Sequence, residues 1–81
     1  MSSPKLILYI GNTCRFCIRV MDYLKQHPMQ IEIKDVWTAQ AAAQELLTLT
    51  GRSQVPCLRI GEMYLHESLD IIEKLKTLQN A

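Results

Sequence analysis

In Lys5-Leu6-Ile7-Leu8-Tyr9-Ile10-Gly11-Asn12-Thr13-Cys14-Arg15-Phe16-Cys17, an unbroken apolar run ends at a glycine, and a pair of cysteines follows three residues later. A run of this kind is the pattern of a central strand buried on both faces. Gly11-Asn12-Thr13 breaks it. From about Arg15 to His27 the residues Cys17, Val20, Met21 and Leu24 recur at i, i+3, i+4 and i+7, one stripe of a helix, and Pro28 closes it. The cysteine pair therefore opens a helix that directly follows a strand.

Working outward, Ile31 and Ile33 alternate with Glu32 and Lys34, which predicts a strand with one wet face near the sheet edge. Thr38 is the expected N-cap of a helix through Ala39, Ala42, Ala43, Leu46 and Leu49, with Gly51 as its stop. Pro56 to Ile60 and Met63 to Leu65 read as two short antiparallel strands around Gly61-Glu62, a pair suited to a type II′ turn. Ser68 or a neighbour opens a last helix with Ile71, Ile72, Leu75 and Leu78 as its buried stripe. The order is β-α-β-α-β-β-α. A right-handed crossover makes the first two strands parallel and the hairpin adds an antiparallel pair, so the expected fold is α/β, a four-stranded mixed sheet flanked by three helices.

Eighty-one residues suit one domain spanning 1–81. A net charge of +1 supplies no field to hold a phosphate backbone, and the scattered Tyr9, Phe16, Trp37 and Tyr64 suit core positions or site walls better than a base-stacking platform, so no nucleic-acid partner is expected. Neither a signal-peptide core nor a run of about 20 apolar residues is present, which predicts a protein of the cytoplasm without a membrane span. Three cysteines are an odd number and too few for a disulfide scaffold.

A Cys-x-x-Cys pair can be half a zinc site or a dithiol redox centre. Zinc needs four ligands, and beyond the pair only Cys57, His27 and His66 remain among the cysteines and histidines. The redox reading needs an ionised first thiol, and the free N–H groups of a helix N-terminus favour a thiolate there. Cys14 holds that position beside Arg15, and Cys17, one turn in, would be the resolving thiol. Cys57 lies in an apolar strand and reads as a small buried side chain. His27 suits a helix end, and His66 stands near the proposed site.

The stretch Tyr9 to Cys17, together with Gly51-Arg52-Ser53-Gln54-Val55-Pro56, resembles a glutaredoxin, and the likeness runs over nearly the whole chain. It implies the thioredoxin-like fold of that family, a cis proline at Pro56 lying against Cys14, and a glutathione-dependent thiol-disulfide oxidoreductase. Arg15 and Phe16 stand where most members have Pro and Tyr, and Gly11 stands where a lysine is usual. His66-Glu67-Ser68-Leu69-Asp70 is closer to the Glu-Ser pair of glutathione transferase N-terminal domains, and of the glutaredoxins that share their architecture. The implied glutathione site uses the backbone of Val55 beside Pro56 for the cysteinyl part and Glu67, Ser68 and Asp70 for the γ-glutamyl end. Without the resemblance, Ser68 reads as an N-cap and Glu67 as a first-turn charge. The implied partners of a monomer are glutathione and disulfide-containing or glutathionylated proteins. Two other readings stay open, an iron-sulfur cluster carrier and a thioredoxin-like donor fed by a reductase.

Overall fold

A computed structural model describes residues 5–80; residues 1–4, on which part of the export reading rests, lie outside the described residues. The elements are β1 (Leu6–Ile10), α1 (Arg15–Gln26), β2 (Glu32–Asp35), α2 (Gln40–Thr50), β3 (Cys57–Ile60), β4 (Met63–Leu65) and α3 (Ser68–Gln79). The sheet runs β2-β1-β3-β4, with β1 parallel to β2 and the other pairs antiparallel. The element order is the one expected from the apolar patterning, and the four-stranded mixed sheet is that of the thioredoxin-like fold that the resemblance implies.

Alternation along β1 divides the core between two layers. Leu8 faces one side with Leu58 of β3, covered by Val20 and Leu24 of α1 and Ile71 and Leu75 of α3. Ile7 and Tyr9 face the other side with Cys57, covered by Val36 and by Ala42 and Leu46 of α2. Leu8, Leu46, Leu58, Ile71 and Leu75 have no exposed surface, and each such side chain stabilises the fold by about 1.5–3 kcal/mol. With β1 pinned between neighbours on both edges and helices on both faces, its C-terminal end, where Gly11 begins, is a fixed platform for the cysteines.

The turns obey their glycines. Gly51 ends α2 in the left-handed region (φ 77°), its N–H donating to the Leu47 carbonyl at 2.8 Å. Gly61 has φ 59° and Glu62 is not in that region, so the single positive φ falls where a type II′ hairpin needs it.

Four local expectations change. Thr38 does not cap α2; Ala39 does, without a side-chain cap, because Asp35 organises the segment first. Its carboxylate accepts the Trp37 N–H at 2.9 Å and its carbonyl accepts the Ala39 N–H at 2.9 Å. Lys34 is not on a wet face: it shares a sheet face with Tyr9, under α2, where its ammonium reaches both Glu45 oxygens at 2.9 and 3.0 Å. Ile33, beside Leu8 but on the edge strand outside the α1 and α3 cluster, stays exposed. Leu49, in the last turn of α2, is also exposed.

Candidate active site

Cys14 is the N-cap of α1, with extended backbone (φ −74°, ψ 125°) and no side-chain cap bond, and no acidic residue occupies the first turn. Its own N–H is spent on the Gly11 carbonyl at 3.0 Å, and its carbonyl takes the Ile18 N–H at 2.9 Å, so the backbone is held while the sulfur faces the unpaired amides of the helix start. Burial works against ionising Cys14. Donation from the Cys17 and Phe16 amides and from the Cys17 thiol outweighs it, and the thiol is held below the ordinary cysteine value.

Cys17 behaves in the opposite sense. It is 1% exposed, and burial pushes its thiol up to about 12 despite the Gly11 N–H, which donates to its sulfur at 3.3 Å; the Cys14 sulfur and the Asp35 carboxylate raise it further. One backbone residue, Gly11, thus grips both cysteines, through its carbonyl and its amide. Cys57, buried in β3 with its thiol pushed up to about 11 by burial, is inert by comparison.

The loop before β3 closes the site. The Val55-Pro56 bond is cis, and the Val55 carbonyl stands 4.0 Å from the Cys14 sulfur. Alongside lies a shallow pocket of about 320 Å³, open to solvent, lined by Phe16, Gln54, Val55, Pro56, His66, Glu67 and Ser68.

Four of the five residues expected to bind a ligand are thereby gathered: Val55, Pro56, Glu67 and Ser68. Asp70 is not; it is exposed in the first turn of α3, outside that lining. Glu67 is the N-cap of α3 without a side-chain cap bond, and Ser68, 6% exposed, is the first helical residue and not the cap. Gln54 is an addition that its polar, loop-like neighbourhood did not single out. Phe16 is a pocket wall, 53% exposed, with the Arg19 guanidinium 6.0 Å from its ring centre. The His66 Nδ1 is buried without a hydrogen-bond partner among the described residues. Among the described residues, no three His, Cys, Asp or Glu side chains converge as a metal site, and no helix is long and apolar enough to cross a membrane.

This geometry has close relatives among solved structures. The thioredoxin-like protein BC3987 is 28% identical, with a TM-score of 0.75 over 91% of this chain and 99% of its own. A buckwheat glutaredoxin-glutathione complex is 22% identical, with a TM-score of 0.67 over 91% of this chain and 70% of its own. Human glutathione-S-transferase T1-1 is 23% identical with a TM-score of 0.76, covering 94% of this chain and 33% of the transferase chain. The last two share the fold. No curated protein matches the sequence. The family profile for glutaredoxin matches residues 6–65, from the first strand through both cysteines and the cis proline to the end of the hairpin, and so the chain belongs to the glutaredoxin family.

Proposed function

We propose that the protein is a glutathione-dependent thiol-disulfide oxidoreductase, with Cys14 as nucleophile and Cys17 as resolving thiol. Membership of the glutaredoxin family supports a thiol-oxidoreductase role. The observation that carries the finer reading is the pairing of a half-buried Cys14 at a helix N-terminus with a fully buried Cys17, next to the Val55 carbonyl and the pocket.

The Cys14 thiolate attacks the glutathione sulfur of a mixed disulfide; that S–S bond breaks, and the departing thiolate takes a proton from solvent. The cysteinyl backbone of the glutathione held on Cys14 pairs with Val55, as one added strand would. Its γ-glutamyl carboxylate meets the free N–H groups at the start of α3 and the Ser68 hydroxyl, and its ammonium meets Glu67. A second glutathione thiolate then attacks the bound glutathione sulfur, giving glutathione disulfide and the Cys14 thiolate. With a protein disulfide, Cys17 instead loses its proton and displaces the partner from Cys14, and two glutathione molecules reduce the resulting Cys14–Cys17 disulfide. The relevant compartment is a reducing one such as the cytoplasm, and the partners are glutathionylated or disulfide-bonded proteins.

Two substitutions test this. Cys14→Ser is expected to abolish turnover of a glutathionylated peptide, and Cys17→Ser to retain a substantial part of it. Equal loss in both would favour the thioredoxin-like route over the glutathione one.

A further inference from the structure

One large aromatic residue beside the cysteines plays no part in that mechanism. Trp37, the one tryptophan of the chain, is 53% exposed and stands outside the pocket that Phe16 lines. Its position is fixed by two bonds of the β2–α2 loop: its N–H donates to the Asp35 carboxylate at 2.9 Å, and the preceding Val36 N–H donates to the Ile10 carbonyl at 2.8 Å. These bonds lay the indole on Gly11. A Cβ added there would fall 2.5 Å from Trp37 Cδ2 and 2.6 Å from Cζ2, so the ring already occupies the space of a side chain at position 11. Gly11 is the residue bonded to both cysteines, and β2 and β3 flank β1 on opposite edges, so the indole borders the loop that carries the dithiol from the β2 edge, while the pocket lies toward β3 and α3.

What such a wall accepts follows from its chemistry. An aromatic face carries a negative quadrupole and gains by covering apolar groups, while it repels an anion. The Asp35 carboxylate, held by the Trp37 amide, adds a negative charge at the base of the same wall. An apolar residue beside a target cysteine is therefore favoured here, and an acidic one disfavoured.

We propose that Trp37 is a specificity-determining residue: its outer face receives the residue next to the target cysteine of a peptide disulfide and selects apolar neighbours over acidic ones. This rests on the oxidoreductase reading above.

The test uses two peptide disulfides, one whose cysteine is flanked by phenylalanines and one whose cysteine is flanked by aspartates, each reduced by the protein with glutathione as electron donor. The wild type is expected to favour the first by about 5-fold in kcat/KM, the size of an aromatic contact, Trp37→Ala to bring the ratio close to one, and Trp37→Phe to restore most of it. A second readout does not depend on the alanine variant folding. In Cys17→Ser protein, the single indole emission is expected to change when Cys14 carries the phenylalanine peptide and to stay constant when it carries a hydroxyethyl group. A ratio that is the same in wild type and Trp37→Ala, or an emission indifferent to the peptide, overturns the proposal and leaves the enzyme reading standing. A wild type that reduces neither disulfide overturns both.

Discussion

Replacing Gly11 by alanine sets two opposing effects against each other. The Gly11 backbone is not in the left-handed region, so alanine fits the local conformation, and the smaller freedom of the unfolded chain stabilises the variant by about 0.4–1 kcal/mol. Against this, the new methyl would lie within 2.6 Å of three indole carbons, Cε2 nearest, about 1 Å or more inside normal carbon contact, and Trp37 must move. Overpacking costs about 1–3 kcal/mol in a core; a ring that is 53% exposed can swing aside, which places the cost near 1–2 kcal/mol and leaves a net loss of about 1 kcal/mol. In a chain of this size that lowers Tm by roughly 4–8 °C. Trp37→Ala alone loses the covered half of an aromatic surface, about 100 Å², or up to ~2.5 kcal/mol. In that background the clash is gone, so Gly11→Ala changes sign and stabilises. Urea unfolding of the four proteins followed by circular dichroism measures the cycle, and the expected coupling is about 1–2 kcal/mol. Additivity within about 0.5 kcal/mol would refute the argument that the indole and Gly11 exclude one another.

Thiol alkylation followed by mass spectrometry is expected to label Cys14 first at neutral pH, with Cys17 and Cys57 lagging because burial raises both; labelling of Cys17 ahead of Cys14 would reverse their roles. Tyr9 gives a prediction at high pH. Its hydroxyl donates to Glu45, and burial first, then Glu45, pushes it up to about 12 from 10.0, so its contribution is complete below pH 10 and is lost as pH rises through 12, about 2–3 kcal/mol in all. Tyr9→Phe is thus expected to be less stable than wild type at pH 7 by about 1 kcal/mol and to overtake it at roughly pH 10–11, once that much of the contribution is lost; parallel pH curves from denaturant titrations would contradict this. Glu45, held down by Tyr9 and then Lys34, gives the reverse: stability present above about pH 4.5 and lost as pH falls below it.

The element order was legible because each element announces itself locally: the apolar run of β1, the 3.6-residue stripe of α1, and glycines where positive φ is needed. The placing of Cys14 and Cys17 was legible for the same reason, since a strand, a break and a helix start put the cysteine pair at a helix N-terminus within ten residues. Contacts between distant segments were less so. Nothing local pairs Gly11 with Trp37, because their complementarity of size exists only once β1 and β2 lie side by side. Asp35 went unread in the sequence; it ends β2, and its carboxylate caps the following turn and displaces Thr38 from the cap it would otherwise take. Lys34 looked solvated by alternation, whereas Glu45 from α2 draws it under the helix. At α3, Glu67 and Ser68 face the pocket while Asp70 is outside it: helical spacing carries a residue two positions further on to another side of the axis.

The opposite shifts of the two sulfurs also determine how many protons the dithiol exchanges. Once Cys14 has ionised and while Cys17 keeps its proton, the reduced pair carries one proton and its disulfide none, so oxidation there releases two electrons and a single proton. An ordinary pair of thiols such as two glutathione molecules releases two. The potential of this centre therefore falls by about 30 mV per pH unit where that of glutathione falls by about 59 mV, and the two couples diverge tenfold in equilibrium constant with each unit. Glutathione gains reducing power over the protein as pH rises. Under the proposed coupling to glutathione, a rise in pH within that window shifts this dithiol toward its reduced form with no change in the glutathione pool.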